Sequence, residues 1–222
     1  MSHFAKQRIY QQFARLGKAL ASPSRLELLD LLAQGERSVE AVASHAELSI
    51  ANASQHLQVL HAARLVESRR DGQRVLYRLA DPSVEALWHA LRHAAEQQLA
   101  ELDSVASDYL TGRDEFEPID RAELVQRLKA GTVTLIDVRP TEEYDQAHIA
   151  GAISVPLDGI KEWSRQAPRR KQVVAYCRGP YCVFALQAVK ELRKRGVPAV
   201  RSEDGVVEWR VAGLPLETGA PS

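Results

Sequence analysis

The sequence predicts two unlike domains: an α+β N-terminal half made mostly of helices, and an α/β C-terminal half built on a mostly parallel sheet. Three observations lead there. Apolar residues recur at helical spacing through the first hundred residues, interrupted by two β-prone runs around Asp71-Gly72. Further on, apolar strands alternate with helix, the grammar of βαβ units. Between the two, over residues 111–118, Gly112, Pro118 and a charge-rich stretch break both patterns, as a linker does. The expected division is 1–110, a linker over 111–117, and 118–222.

Taken in order, IYQQFARLGKALA places Ile9, Phe13, Leu16 and Leu20 on one helical face. SPSRLELLDLLAQG opens with a serine cap and Pro23 in its first turn and stops at Gly35. SVEAVASHAEL and SIANASQHLQVLHAARLV give two more helices, the second capped by Ser49, with a tight turn at Ala46-Glu47-Leu48 between them. VESRRDGQRVLYRLA then reads as a hairpin about Asp71-Gly72. PSVEALWHALRHAAEQQLAELDSVASDYL closes the half as one long amphipathic helix. In the second half TVTLIDV, KQVVAYC and VPAVRSE are apolar, β-rich runs, and VFALQAVKELRKRG is a helix with a basic end and a glycine stop.

Composition narrows the function classes. Two cysteines in 222 residues cannot form a disulfide framework, and no charged-then-apolar secretory segment opens the chain. No apolar run approaches the roughly 20 residues that span a bilayer, so a reducing cytoplasmic setting is expected and a membrane partner is not. Net charge is zero, and the two halves differ only slightly from neutrality. Local charge says more: Arg64, Arg69, Arg70, Arg74 and Arg78 crowd one short stretch with only Glu67 and Asp71 as acids.

Two short helices, a tight turn, a third helix and a charged hairpin make a winged helix-turn-helix. In the helix after the turn, Ile50, Ala53, Leu57 and Leu60 share a face and are expected in the core. The remaining face offers Asn52, Gln55, His56 and Gln58, with Ser49 and Ser54 near its entry. Amide side chains pair with adenine edges, and hydroxyls hold phosphates. Arg69, Arg70 and Arg74 fall on the hairpin, where a wing meets the DNA backbone. A helical protein-interaction domain with a polar face is the alternative, and the order of elements favours the DNA reader.

LGKALASPSRLELLDLL followed by LSIANASQHLQVLHAARLVESRRDGQRVLYRLAD resembles the ArsR family of bacterial repressors over residues 10–100. The resemblance implies a homodimer, paired through its first and last helices, on a palindromic operator with half-sites about one helical turn apart. It also implies release of DNA when an inducer binds. The sequence departs from the family where metal inducers act. The region of the Cys-x-Cys motif reads SVEAVASHAEL, and Asp81 is followed by Pro82 and Ser83 rather than by a histidine two residues on. His89 and His93 sit at i, i+4, but no third ligand is evident, so no metal or other cofactor is expected.

Both cysteines lie in YCRGPYC, between an apolar strand and a helix. Such a loop turns backbone N–H groups inward at the positive end of the helix dipole, which favours a thiolate. Gly179 lets the backbone turn, Pro180 stiffens it, and Arg178 adds a cation near the expected pocket rim. A buried, inert thiol is the alternative for either cysteine, and it fits Cys182 better than Cys177.

LIDVRPTEEYDQAHIAGAISVPL and EDGVVEWRVAGLPLE, flanking the loop opened by Cys177, resemble the rhodanese (sulfurtransferase) family over residues 117–222. The resemblance implies that Cys177 attacks the outer sulfur of thiosulfate or a polysulfide and holds a persulfide for a thiol acceptor. Loop amides from Arg178 through Gly179, Pro180 and Tyr181 to Cys182 would hold its charge. The six-residue loop matches sulfurtransferases, whereas related phosphatases and arsenate reductases use one residue more and close on Arg. Asp137, Arg139 and Glu143 are read as an ion-paired scaffold beneath the loop, with Arg139 as a substrate ligand the alternative. Cys182 stands where the family more often has Thr, Ser or Arg. It is either a resolving thiol or a small packing residue.

The expectation is a DNA-binding regulator whose rhodanese half senses or transfers reactive sulfur. The alternatives are an enzyme that is chiefly a thiosulfate sulfurtransferase, and a Cys177–Cys182 redox switch without catalysis.

Overall fold

The computed structural model describes residues 3–110 and 118–219. The linker expected over 111–117 lies outside the described residues. The chain divides into two compact units, Met1–Gln97 and Gln98–Ser222.

The first unit has the order α1 (His3–Leu20), α2 (Pro23–Ala33), β1 (Arg37–Ser38), α3 (Val39–His45), α4 (Ile50–Ala62), β2 (Val66–Asp71), β3 (Arg74–Leu79) and α5 (Pro82–Gln98). This is a winged helix-turn-helix, as expected. Ser38 and Ser49 cap α3 and α4, each accepting from a backbone N–H three residues on. The turn between them passes through Glu47 at φ 52°, a left-handed conformation that brings α4 across α3. The wing is an antiparallel ribbon with Asp71 opposite Arg74 and Gly72 at φ 59° in its turn. β1, which sequence periodicity does not reveal, adds a short third strand against β3.

Leu28, Leu29 and Leu32 of α2, Val42 of α3 and Ala53, Leu57 and Leu60 of α4 meet in one core, closed by Leu65, Val66 and Tyr77. Ile50 does not join it, contrary to expectation. It is 56% exposed, because it is the first residue of α4 and precedes the turn where the helix packs. Trp88 of α5 donates to Asp30 of α2 at 3.0 Å and fixes α5 to the core.

The single long closing helix is not observed. A break at Leu99 separates α5 from α6 (Ala100–Leu110). The break contains no proline or glycine. It falls where no described side chain is fully buried, so packing does not enforce a continuous axis.

The second unit continues with α7 (Arg121–Lys129), β4 (Val133–Asp137), α8 (Thr141–Gln146), β5 (His148–Ile149), β6 (Ile153–Ser154), a 3₁₀ turn at Leu157–Gly159 and α9 (Ile160–Trp163). It ends with β7 (Gln172–Tyr176), α10 (Phe184–Lys194), β8 (Ala199–Arg201), α11 (Val206–Val211) and β9 (Leu216–Glu217). Its main sheet is parallel, in the order β6-β4-β7-β8, and β5 pairs with β9 separately. The expected α/β class with a mostly parallel sheet is therefore present. Both faces of the sheet are covered, which is why its strands read as unbroken apolar runs. Val173, Ala175 and Cys177 point to the α10 side, and Val174 and Tyr176 to the opposite core with Trp209. Because β4 and β7 run in register from Val133–Gln172 to Asp137–Tyr176, their carboxyl ends deliver Arg139 and Cys177 to the same edge. No helix among the described residues is long and apolar enough to cross a membrane.

Candidate functional site

Two groups of residues stand out, one in each unit. In the first, Ser49, Asn52, Gln55 and Gln58 are exposed along α4, while Ser54 and His56 are half-buried. The polar face foreseen for this helix is therefore at the surface, opposite the packed Ala53, Leu57 and Leu60. On the wing the arginines divide. Arg69 forms a forked ion pair with Glu36 (2.5–3.1 Å), and Arg78 pairs across the ribbon with Glu67 at 2.9 Å. Arg70 and Arg74 flank the turn, both exposed. Arg69 is therefore already engaged by a carboxylate, whereas Arg70 and Arg74 stand exposed at the tip of the ribbon. His93 lies 4.0 Å from Glu96, and no cluster of three metal-ligating side chains occurs among the described residues.

In the second unit the strand ends build a chain of buried charge. Arg139 grips Asp137 with two nitrogens at 2.6–3.1 Å and donates to the Ala147 carbonyl at 2.7 Å. Its other nitrogen lies 3.9 Å from Glu143, one helical turn on. Glu143 in turn accepts a forked pair from Arg178 at 2.5–3.1 Å. Asp137, Arg139 and Glu143 are all fully buried. Local sequence makes this compact: Asp137-Val-Arg139 alternates on one side of the strand end, and Glu143 enters in the first turn of α8. The structure brings the expected scaffold together and extends it to the loop. Arg178, expected at a pocket rim, is instead held on Glu143 and over the Phe184 ring at 5.2 Å. A buried carboxylate outcompetes solvent for a guanidinium that can make a fork.

The loop itself is tight. Gly179 has φ 144°, a value that side-chain-bearing residues avoid, and the Cys182 N–H donates to its carbonyl at 3.2 Å. Pro180 and Tyr181 are half-buried at its tip. Two further residues, which sequence reasoning did not single out, shape the loop from α11. At Gly205 a Cβ would stand 2.5 Å from the Cys177 carbonyl oxygen, so only glycine admits the loop backbone there. The buried Glu208 accepts from the Gly205 N–H at 2.8 Å, and its carboxylate lies 3.3 Å from where a Cβ on Gly179 would be. The Asp204-Gly205 step ahead of Trp209 was the available signal, since a glycine beside a packed helix marks close backbone approach.

The thiols occupy unequal places. Cys177 is 3% exposed, at the end of the β7 face that packs on Ala185 and Ala188, and its thiol donates to the Cys182 carbonyl at 3.3 Å. Cys182 is half-buried beside the start of α10. Burial pushes the Cys177 thiol well up from its ordinary range, and the neighbouring Cys182 side chain adds to this. The neighbouring Cys177 side chain, then the backbone at Arg178 and Phe184 and the Arg178 cation, bring Cys182 down to about 7 against its own burial. The two thiols titrate as a pair, with Cys177 the more buried and Cys182 the more open.

Comparison with known proteins follows the same division. Residues 22–68 match the family described as bacterial regulatory protein, arsR family, and residues 120–212 match the rhodanese-like domain. An HTH-type transcriptional regulator of Mycobacterium tuberculosis is 45% identical over 216 residues, covering 97% of this chain and 95% of that protein. The biofilm growth-associated repressor of Agrobacterium fabrum is 40% identical over 80 residues, covering 36% of this chain and 68% of its own length. Among solved structures, a homodimeric winged helix-turn-helix DNA-binding domain from Mycobacterium bovis is 44% identical, with a TM-score of 0.43 and coverage of 46% of this chain and 93% of its own. A rhodanese-related protein from Thermoplasma volcanium is 26% identical, with a TM-score of 0.41 and coverage of 46% and 98%.

Proposed function

The chain belongs to the ArsR family of transcriptional regulators and carries a rhodanese-like domain in its C-terminal half, and from that premise we propose that it is a repressor whose operator affinity is set by sulfur loaded onto the Cys177–Cys182 loop. One observation carries the reading: the only two thiols of the chain stand at the two ends of a tight six-residue loop cradled between β7 and the start of α10, with the Cys177 thiol donating to the Cys182 carbonyl. Such a cradle suits a sulfur anion or a persulfide. The donor is thiosulfate or a polysulfide, the persulfide rests on Cys177, and a small thiol is the acceptor.

DNA contact is made by α4 and the wing. Asn52, Gln55 and Gln58 reach base edges, Ser49, Ser54 and His56 flank them, and Arg70 and Arg74, with Arg69 released from Glu36, meet phosphates. The chain acts as a homodimer on a palindromic operator. Phe4, Ile9, Tyr10 and Phe13 of α1 and Leu87 and Leu91 of α5 are large apolar residues left at the surface of the single chain, and a second copy would cover them.

Sulfur loading is tested by intact mass after treatment with thiosulfate or polysulfide. Wild type gains about 32 Da for each sulfur atom retained, and the gain on Cys177 disappears in Cys177→Ser. A protein that loses about 2 Da and gains no sulfur in the process is an oxidised dithiol pair, and the sulfur reading then fails.

A further inference from the structure

We propose that Cys182, rather than Cys177, is the thiol that first takes sulfur from the donor, with Cys177 receiving it by transfer within the loop. This deepens the reading above and rests on it. The geometry separates the two sulfurs by access and by proton. Cys177 is enclosed between β7 and α10, only 3% exposed, and its S–H is committed to the Cys182 carbonyl at 3.3 Å. Cys182 is the more open of the two and adjoins the N-terminus of the 11-residue α10, where the Phe184 N–H and the helix dipole favour negative charge. The Arg178 guanidinium, fixed by its fork to Glu143, supplies a positive charge whose effect on Cys182 is favourable. The depressed affinity of Cys182 for its proton agrees with this placement, since the thiolate is the attacking species.

In the first step the Cys182 thiolate attacks the sulfane sulfur of a persulfide or polysulfide donor. A bond forms between Cys182 and that sulfur, the donor's S–S bond breaks, and the donor leaves as a thiolate or shortened polysulfide that takes up a proton from solvent. In the second step the Cys177 proton passes to the terminal sulfur of the Cys182 persulfide, and the Cys177 thiolate attacks that sulfur. Its new S–S bond replaces the one to Cys182, which leaves as thiolate. The second step is an exchange with no net oxidation, so it needs no further reactant.

The experiment loads full-length protein with limiting sodium tetrasulfide, quenches with iodoacetamide at intervals, and maps added sulfur by peptide mass. In Cys177→Ala, sulfur still arrives quickly and stays on Cys182. In Cys182→Ser and Cys182→Ala, loading of Cys177 slows by about tenfold or more, as follows when the accessible thiolate is removed. Rapid iodoacetamide labelling of unloaded wild type maps to Cys182, the more open thiol, ahead of Cys177. Loading of Cys177 at the wild-type rate in both Cys182 variants overturns the proposal while leaving the sulfur-sensing reading intact. Absence of added sulfur in every variant and in wild type overturns both.

Discussion

At the scale of single residues, the loop depends on positions where a methyl group cannot fit. Gly205 has an ordinary negative φ, so its demand for glycine is purely one of space. In Gly205→Ala the added Cβ must push the Cys177–Arg178 backbone away. The expected cost is about 1–3 kcal/mol, read as a lower thermal midpoint of the rhodanese-like unit, together with loss of the rapidly labelled thiol. An unchanged midpoint with normal labelling would show that the loop yields without penalty. The two thiols themselves were plain in the sequence, because both lie in one short loop of a cysteine-poor chain. Their unequal exposure was not, nor the Cys177 thiol's donation to the carbonyl five residues on, nor where Arg178 settles, none of which local sequence encodes.

At the scale of elements, buried charge ties three segments together: β4 through Asp137 and Arg139, α8 through Glu143, and the loop after β7 through Arg178. Glu143→Gln leaves two guanidinium groups short of a carboxylate in an enclosed site. A loss of about 3–5 kcal/mol is expected, since breaking a buried ion pair from one side strands its partner. Chemical denaturation of the variant, compared with wild type, measures it. The ion-paired scaffold was legible because Asp137, Arg139 and Glu143 cluster in sequence, whereas its link to Arg178 crosses 35 positions and appears only once the parallel sheet aligns two strand ends. The wing offers a second case. Its hairpin was readable from Asp71-Gly72, but the Arg69–Glu36 pair joins it to the segment before β1 and was not. Replacing Arg70 or Arg74 by alanine should reduce the slope of log affinity against log salt by about 0.9 for each phosphate left without its cation. Arg69→Ala should change it less, because Glu36 already neutralises that charge. Equal slopes for all three variants would mean that the Glu36 pair opens on DNA at no cost.

For the whole molecule, the proposed regulation requires that the rhodanese-like unit act on the DNA-binding unit. Helix periodicity, the hairpin turn and the strand–helix alternation assigned each half its class, and packing decided what periodicity could not: the exposure of Ile50 and the short strands β1, β5, β6 and β9. Dimerisation belongs to this scale. Phe13→Glu, which places a charge in the exposed apolar row of α1, should shift the sedimenting species from dimer toward monomer and weaken operator binding with it. The central claim is that sulfur on the loop changes DNA affinity, and operator binding measured by fluorescence anisotropy before and after polysulfide treatment addresses it most directly, with added sulfur confirmed by mass in the same sample. The account predicts that loaded wild type loses about tenfold or more in affinity, about 1.4 kcal/mol of coupling or greater, and that a small thiol restores it while Cys177→Ser stays unresponsive. Loaded wild type that binds operator as tightly as untreated protein would contradict it.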